Sequence, residues 1–479
     1  MPPNIATLVF ALGVAGCFLL DRDPKLRTSK ALWIPVIWLL INGSRSLSLW
    51  VGAQTAAKMQ TSAQYLDGSP LDMWVYTGLL AAGLITLAVR KGRVGRLLQG
   101  NRAIVLFFVY CAVSTLWSDY TDISFKRWIK AVGDLVMVLV VLTDSDPLTA
   151  LKRLLARVAF VLVPASVLLI KYYPALGRIY NIWTWEPMFV GVTEHKNTLG
   201  MVCMVLGLGF EWRFLMAYRD RKDPRRTKRL MVYAALLGMM VWLFVQANSV
   251  TAQSCFILGS VFLLASGSRM VVKRPWRVYL LVAILVAAPF ATLFMGMGGG
   301  ALEGMGRDAT LTGRTEIWKD VLSMSGSPLI GTGFESFWLG KRADRMWGMF
   351  YFHPTQAHNG YIEVYLELGW IGIALLAAIV VTGCRDAVAM LRPDPHAARI
   401  RLAYIVVALA YNMTEAGFRM MTLTWFFFLL SAVVVSKVAV QGSQSPSRSV
   451  LPADTSPKFD EWQPEEPALD FARRRLEAI

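Results

Sequence analysis

Apolar runs of about 16 to 22 residues recur along most of this chain, and each is long enough to cross a bilayer as a helix. Hydrocarbon offers no partner for backbone N–H and C=O groups, so a spanning segment must be an α-helix or part of a closed barrel. These runs are too long and too uniformly apolar for barrel strands. Of 479 residues, 55% are hydrophobic and only 17% charged, with a mean hydropathy of +0.47. The expectation is therefore an all-α polytopic membrane protein. Its spans lie near 4–20, 31–49, 73–89, 103–118, 128–143, 154–170, 197–217, 230–247, 251–266, 278–295, 361–383, 402–418 and 421–437. That makes about twelve or thirteen, with ends uncertain by a few residues.

A net charge of +17 raises the question of nucleic acid, but the distribution of the charge answers it. The basic residues cluster in short connections: Arg219, Arg221, Lys222, Arg225, Arg226, Lys228 and Arg229 in one, with smaller groups around Arg90–Arg96, Arg269–Arg277 and Arg392–Arg401. Such clusters mark cytoplasmic loops, and none interleaves aromatics on a soluble domain, so no nucleic-acid partner is expected. Cys17, Cys111, Cys203, Cys255 and Cys384 all lie in or beside apolar segments without metal-ligand spacing, implying neither a disulfide framework nor a metal site. The first span has no basic flank before it and does not read as a cleaved leader.

With basic connections inside, strict alternation places the N-terminus and the loops near 50–72, 118–127, 171–196, 248–250 and 296–360 outside. The expected organisation is transmembrane helices over 1–295, including the aromatic loop 171–196; a large external loop, 296–360; further helices over 361–437; and a disordered inner tail, 438–479, with a short helix near 467–477. Loop 171–196 carries Arg178, Trp183, Trp185 and then Glu194-His195-Lys196-Asn197. Its aromatics suit an interfacial belt or a surface for sugar rings. Loop 296–360 opens on Gly296–Gly300. Thr310–Leu322 follows with helical apolar spacing, predicting a short amphipathic helix outside the membrane, and Pro328–Glu335 reads as a turn.

The polar opening of the next span stands out: His358-Asn359-Gly360-Tyr361-Ile362-Glu363, continuing to Glu367, Gly369 and Gly372. Ionisable groups at the start of an apolar span are costly and mark function by default. Asn359, Glu363 and Glu367 are four apart and share one helix face. A carboxylate there can orient an imidazole, bind a sugar hydroxyl, or pair with an arginine across the bundle. Glu415 and Arg419, near the outer end of the 402–418 span, either pair with each other or line a cavity.

At these residues the chain resembles the bacterial O-antigen ligase and polymerase family, in its exopolysaccharide polymerase-like branch. The family signature is His, then Asn, Ser or Gln, nine residues, Gly, two residues, and Gly, Thr or Tyr; His358, Asn359, Gly369 and Gly372 fit it. Thr312-Gly313-Arg314-Thr315-Glu316-Ile317-Trp318 resembles the family's loop-arginine element, and Glu194–Gly200 is similar to a segment of the exopolysaccharide branch. The resemblance implies a metal-independent, inverting membrane glycosyltransferase without cofactors. It would move glycan from undecaprenyl pyrophosphate to an acceptor glycan hydroxyl at the periplasmic side of the bacterial inner membrane. The lipid bilayer and other polysaccharide assembly proteins are its expected surroundings.

An activated donor leaves the protein two tasks: neutralising charge on the departing pyrophosphate and accepting the hydroxyl proton. Arg314 is the candidate for the first, because a guanidinium grips phosphate oxygens bidentately and stays charged; the alternative is a loop arginine paired with Glu316 or Asp308. His358 is the candidate base, since an unperturbed imidazole titrates near about 6.5; His353 is a weaker rival. Asn359, Glu363, Glu367 and Glu415 are candidate substrate-binding groups, with His195, Lys196 and Arg178 as further phosphate contacts. Polymerisation of repeat units and ligation of finished glycan to lipid A-core share this donor site. A transporter would require internal repeats or paired interrupted helices, and neither is evident.

Overall fold

A computed structural model of the chain describes residues 1–21, 28–52, 69–180, 185–266, 274, 276–280, 282–284, 314–350 and 352–435. Most of the expected span 278–295, the glycines 296–300, Thr310–Gly313, Trp183 and the tail from 438, with its short helix near 467–477, lie outside the described residues. The rest is a multi-pass α-helical membrane protein.

Twelve of its helices fall on the expected spans: α1 Pro3–Asp21, α2 Trp33–Asn42, α3 Pro70–Val89, α4 Arg102–Ser114, α5 Thr121–Leu142, α6 Pro147–Tyr172, α7 Lys196–Arg219, α8 Arg226–Ala247, α9 Val250–Ala265, α12 Gly360–Ala389, α13 Pro395–Tyr411 and α14 Leu423–Ala432. Between α9 and α12, α10 (Arg314–Ser323) and α11 (Gly340–Met349) lie in the large loop, and α14 (Leu423–Ala432) closes the described bundle. Loop 171–196 folds into a two-stranded antiparallel hairpin, β1 Arg178–Tyr180 with β2 Pro187–Phe189.

Helix starts follow local chemistry. Proline holds the first turn of α6 and α13, where Asp146 and Asp394 accept the amides of Thr149 and Ala397, each at 3.1 Å. Between α8 and α9 the chain reverses at Asn248, whose left-handed φ of 45° asparagine tolerates well.

Six described helices are long and apolar enough to cross a bilayer alone, and Lys91–Gly100 with Arg102–Trp117 adds a pair bent by 90°. Several expected spans are shorter than the apolar pattern suggests. Helix α2 stops at Asn42 instead of continuing to 49, because Arg45 turns back onto the carbonyls of Thr193 and Gly191, each at 3.2 Å. Helix α13 stops at Tyr411, not 418, because Asn412 Oδ1 accepts the amides of Gly417 (2.8 Å) and Phe418 (2.6 Å) and folds a turn. Ten residues, as in α14, rise only about 15 Å, half the hydrocarbon thickness. Apolar sequence continues past these helix ends because the chain there is packed inside protein.

Helix α7 is buried along most of its length, whereas α1 presents nearly all of its apolar surface outward. Lipid satisfies α1 as well as protein would. Asp134, buried in α5, ties the bundle together by accepting Trp38 Nε1 at 2.8 Å and the Met421 amide at 2.7 Å.

The large loop builds a cap with its own core: Ile317, Trp318 and Val321 of α10 pack with Phe337 and Trp338 of the segment before α11, Met346 of α11, and Ile362 and Leu366 of α12. The amphipathic helix expected near Thr310–Leu322 thus runs from Arg314, with its apolar face in this core. The turn expected at Pro328–Glu335 is also present, and it enters a break in α12. Gly369 there has φ 64°, ψ −162°. The amides of Trp370 and Ile371 donate to Pro328 O (2.9 Å) and Leu329 O (3.2 Å), while Thr332 and Gly333 donate to Leu366 O and Glu367 O, both at 2.9 Å. A Cβ at Gly369 would stand 2.3 Å from the Leu329 carbonyl, and one at Gly331 would stand 2.3 Å from Glu367. Both glycines are needed for this backbone-to-backbone approach. The polar opening of α12 is therefore enclosed in cap protein, and strongly exposed apolar side chains begin only at Trp370.

Candidate active site

Glu415 sits on the turn after α13 and gathers side chains from three other parts of the chain. Its Oε1 accepts Arg314 (2.8 Å) from the start of α10 and Asn197 Nδ2 (3.1 Å) from the first turn of α7. Its Oε2 lies 3.1 Å from His358 Nδ1. Arg314 also donates to the Thr414 carbonyl of the same turn. The side chains of Glu415, Arg314 and His358 are 6%, 15% and 25% exposed, so the carboxylate is enclosed and the two bases reach the surface. Burial pushes the Glu415 carboxyl up, but the hydrogen bond with His358 and the Arg314 charge outweigh it and hold the group below the usual carboxylate range.

His358 has a left-handed φ of 52°, a strained value for a non-glycine residue. Its neighbours hold it there. The Ala357 carbonyl accepts Trp318 Nε1 at 2.7 Å, and the Ala357 amide donates to Glu363 Oε1. On the other side, Asn359 caps α12 by accepting the amides of Tyr361 (3.0 Å) and Ile362 (3.1 Å) and donates to Met413 O at 3.0 Å. The Gly360 amide bridges to Asn412 O (2.9 Å) and Glu415 O (3.1 Å). The signature stretch and the Glu415 turn are thus laced through backbone groups as well as through the imidazole.

The His358 tautomer that donates Nδ1–H to Glu415 leaves Nε2 as an acceptor; the Gln356 contact to Nδ1, at 3.4 Å, is longer. Arg314 retains donors beyond the two it spends on Glu415 and Thr414. The cluster can accept a proton at one point and stabilise an anion at another close by.

Among the residues expected to contribute, His358, Arg314 and Glu415 come together. The Arg314 guanidinium pairs with Glu415 and not with Glu316, while Asp308 lies outside the described residues. Arg419 pairs with Glu335 at 3.3 Å instead of Glu415 and also donates to Thr355 O. Asn359 is fully buried and its side chain is spent on the cap and on Met413. Glu363 is buried beneath His358, accepting Trp338 Nε1 at 2.9 Å and the Ala357 amide. Glu367, also buried, lies with Glu335, Glu363 and Arg419 around a small interior cavity of about 20 Å³. Arg178 is occupied elsewhere: it donates to Ile170 O (2.9 and 3.1 Å) and covers the Phe189 ring. His195 caps the start of α7 with an exposed side chain, and Lys196 beside it is half-buried. His353 stacks on Trp347 at 4.9 Å.

Asn197 joins the cluster from the Glu194–Gly200 segment, and the signal that points to it is a polar residue in the first turn of an otherwise buried helix. Trp318 and Trp338, which position the His358 loop, carry no sequence signal distinguishing them from core aromatics.

Comparison with known proteins agrees with the resemblance drawn from the motifs. Residues 233–377 match the family model described as O-antigen ligase, a stretch holding both Arg314 and the His358 signature. The chain is 28% identical over 302 residues to the exopolysaccharide production protein ExoQ of Rhizobium meliloti (strain 1021). That alignment covers 60% of this chain and 66% of the relative, just under two thirds of its length. No solved structure matches.

Proposed function

We propose that the chain transfers a glycan from a polyprenyl pyrophosphate donor, of the undecaprenyl type, to a sugar hydroxyl. The observation that carries this reading is the shared carboxylate: Arg314 and His358 meet the two oxygens of Glu415 at 2.8 and 3.1 Å. A charge-stabilising cation and a proton acceptor are thereby fixed side by side at the polar end of the bundle, where a membrane-anchored pyrophosphate can reach them.

His358 Nε2 takes the proton of the acceptor hydroxyl as its oxygen attacks the anomeric carbon. The bond from that carbon to the pyrophosphate oxygen breaks, and its electron pair leaves with the pyrophosphate. Arg314 neutralises the charge that develops there. A single displacement inverts the anomeric centre. Glu415 holds the imidazole in the tautomer that leaves Nε2 free and stabilises the imidazolium formed. Asn359 and Glu363 position the His358 loop. Arg314 performs the electrostatic task a divalent cation would otherwise perform, so the reaction proceeds in EDTA. The cluster faces the periplasm of the bacterial inner membrane.

Similarity to an exopolysaccharide production protein favours polymerisation of repeat units. The family description favours the second reading, ligation of finished glycan to lipid A-core or another acceptor. Deletion separates them: loss of a polymerase leaves single repeat units on the carrier, and loss of a ligase leaves polymer there. The decisive assay uses purified protein and lipid-pyrophosphate-linked repeat units in EDTA. His358→Ala and Arg314→Ala should each lower turnover by about 10²–10³. Unchanged product from both variants would overturn the site, and loss of wild-type activity in EDTA would overturn metal independence.

A further inference from the structure

Asn197, at the Glu415 end of α7, and Arg219, at the other end, are separated by about 33 Å of helix. At the Arg219 end, α6, α7, α8 and α13 surround a cleft of about 390 Å³. Five cationic side chains line it against three carboxylates. Two of the carboxylates are already spent: Asp21 on Arg213 at 3.0 Å, and Asp223 on Arg229 at 2.7 Å. The third is Asp220, next to Arg219 in the chain. Lys152 is half-buried, and its ammonium stands over the Trp212 ring at 5.8 Å. Among the described residues, no carboxylate lies within ion-pair distance of Lys152 or Arg219. A partly desolvated concavity with excess positive charge attracts anions.

The cleft does not end in water on all sides. Met216, Arg219 and His396 also belong to an adjoining groove whose other walls are Trp212, Leu215, Leu263 and Leu264, with Arg399 at its side. Leu264 is 55% exposed on the outer wall of the bundle. The groove therefore leads from the charged cleft along α7 and α9 toward the lipid-facing surface. A free phosphate ion would use the first part of this surface and leave the second bare.

We propose that the cleft and groove bind an anionic phospholipid, with its phosphate between Lys152 and Arg219 and an acyl chain along Leu215, Leu263 and Leu264. A phosphodiester without a compensating ammonium matches the excess charge, and the neighbouring apolar wall matches the chain. Basic pockets between transmembrane helices recognise head groups in this way. The site is independent of the Glu415 cluster and of the transfer reaction.

The test uses the full chain, purified in detergent and washed free of lipid. It is titrated with phosphatidylglycerol and phosphatidylcholine by native mass spectrometry, and with inorganic phosphate by calorimetry. Phosphatidylglycerol should bind at least about tenfold more tightly than phosphatidylcholine. The double substitution Lys152→Gln, Arg219→Gln should abolish that preference, and Lys152→Arg should keep it. Equal binding of the two lipids by wild type overturns the proposal, as does a preference that survives the double substitution. Inorganic phosphate binding as tightly as phosphatidylglycerol would make this a free-anion site and overturns the lipid assignment. Should the double variant fail to fold, Arg219→Gln alone, at an exposed helix end, must lower the preference severalfold; an unchanged preference there overturns it too.

Discussion

Glu415 and Glu363 bracket the same histidine from opposite sides. Glu415 meets the imidazole itself and shares its other oxygen with Arg314 and Asn197. Glu363 never touches the ring; it accepts the amide of the preceding residue and the indole of Trp338. Around Glu415, the Arg314 cation balances the carboxylate, and Arg314 and His358 both reach the surface. Around Glu363, two more carboxylates, Glu335 and Glu367, crowd an enclosed cavity beside Arg419. The first arrangement is suited to handling protons and anions from outside. The second is suited to holding a loop in a conformation it would otherwise leave. Two buried glutamates near one histidine therefore make different demands on a mutation.

The sharpest way to break this contrast is at Glu415. Glu415→Gln preserves shape but removes the anion that fixes the imidazole tautomer, and turnover should fall by roughly 10³–10⁴. Retention of near-wild-type turnover would remove Glu415 from the site. Glu363→Ala should have the reverse emphasis. Stripping the acceptor from two buried donors should cost roughly 2–4 kcal/mol of stability. Its melting temperature should fall, and Glu363→Gln, which keeps an acceptor oxygen, should recover most of it. A stable Glu363→Ala with lost turnover would place this carboxylate among the reacting groups instead.

Acid sharpens the comparison further. The folded-state Glu415 carboxyl titrates below its unfolded value, so its contribution to stability is complete above about pH 4.3 and disappears as pH falls through the lower folded-state value. Thermal unfolding followed from pH 7 to pH 3 should show that loss in wild type, and a flatter profile in Glu415→Gln. Identical profiles would mean that the pair with Arg314 and His358 does not form in the folded protein. The smallest effect belongs to Asn197→Ala, which removes one neutral donor from Glu415: turnover should drop by no more than about tenfold. A larger drop would give Asn197 a direct part in substrate binding.

Much of this was legible in the sequence because the informative signals were local. Period and length of the apolar runs marked the helices, and the spacing from His358 to Gly372 marked the segment that turns out to be capped, kinked and enclosed. The helix begun by Arg314 declared itself through Ile317, Trp318 and Val321. Helix ends at Asn42 and Tyr411 were misread because apolar residues continue past them into protein, where hydropathy alone cannot tell a span from a packed turn. Local spacing offers Arg419, four residues away, as the partner of Glu415, but the structure gives Glu415 to Arg314 and Arg419 to Glu335. That choice depends on where Glu335, far off in sequence, is placed.

The sequence by itself determined the class of the molecule, since uninterrupted apolar length admits only helices in hydrocarbon, and it determined which short stretch carries the histidine and two carboxylates. Tertiary structure alone decided which charges meet. The turn at Pro328–Gly333 enters the break at Gly369, the cap closes over the polar start of that helix, and Glu415 arrives from a turn beyond the next one. Contacts between residues 34 to 218 positions apart are set by the packing of whole elements, and no local pattern encodes them.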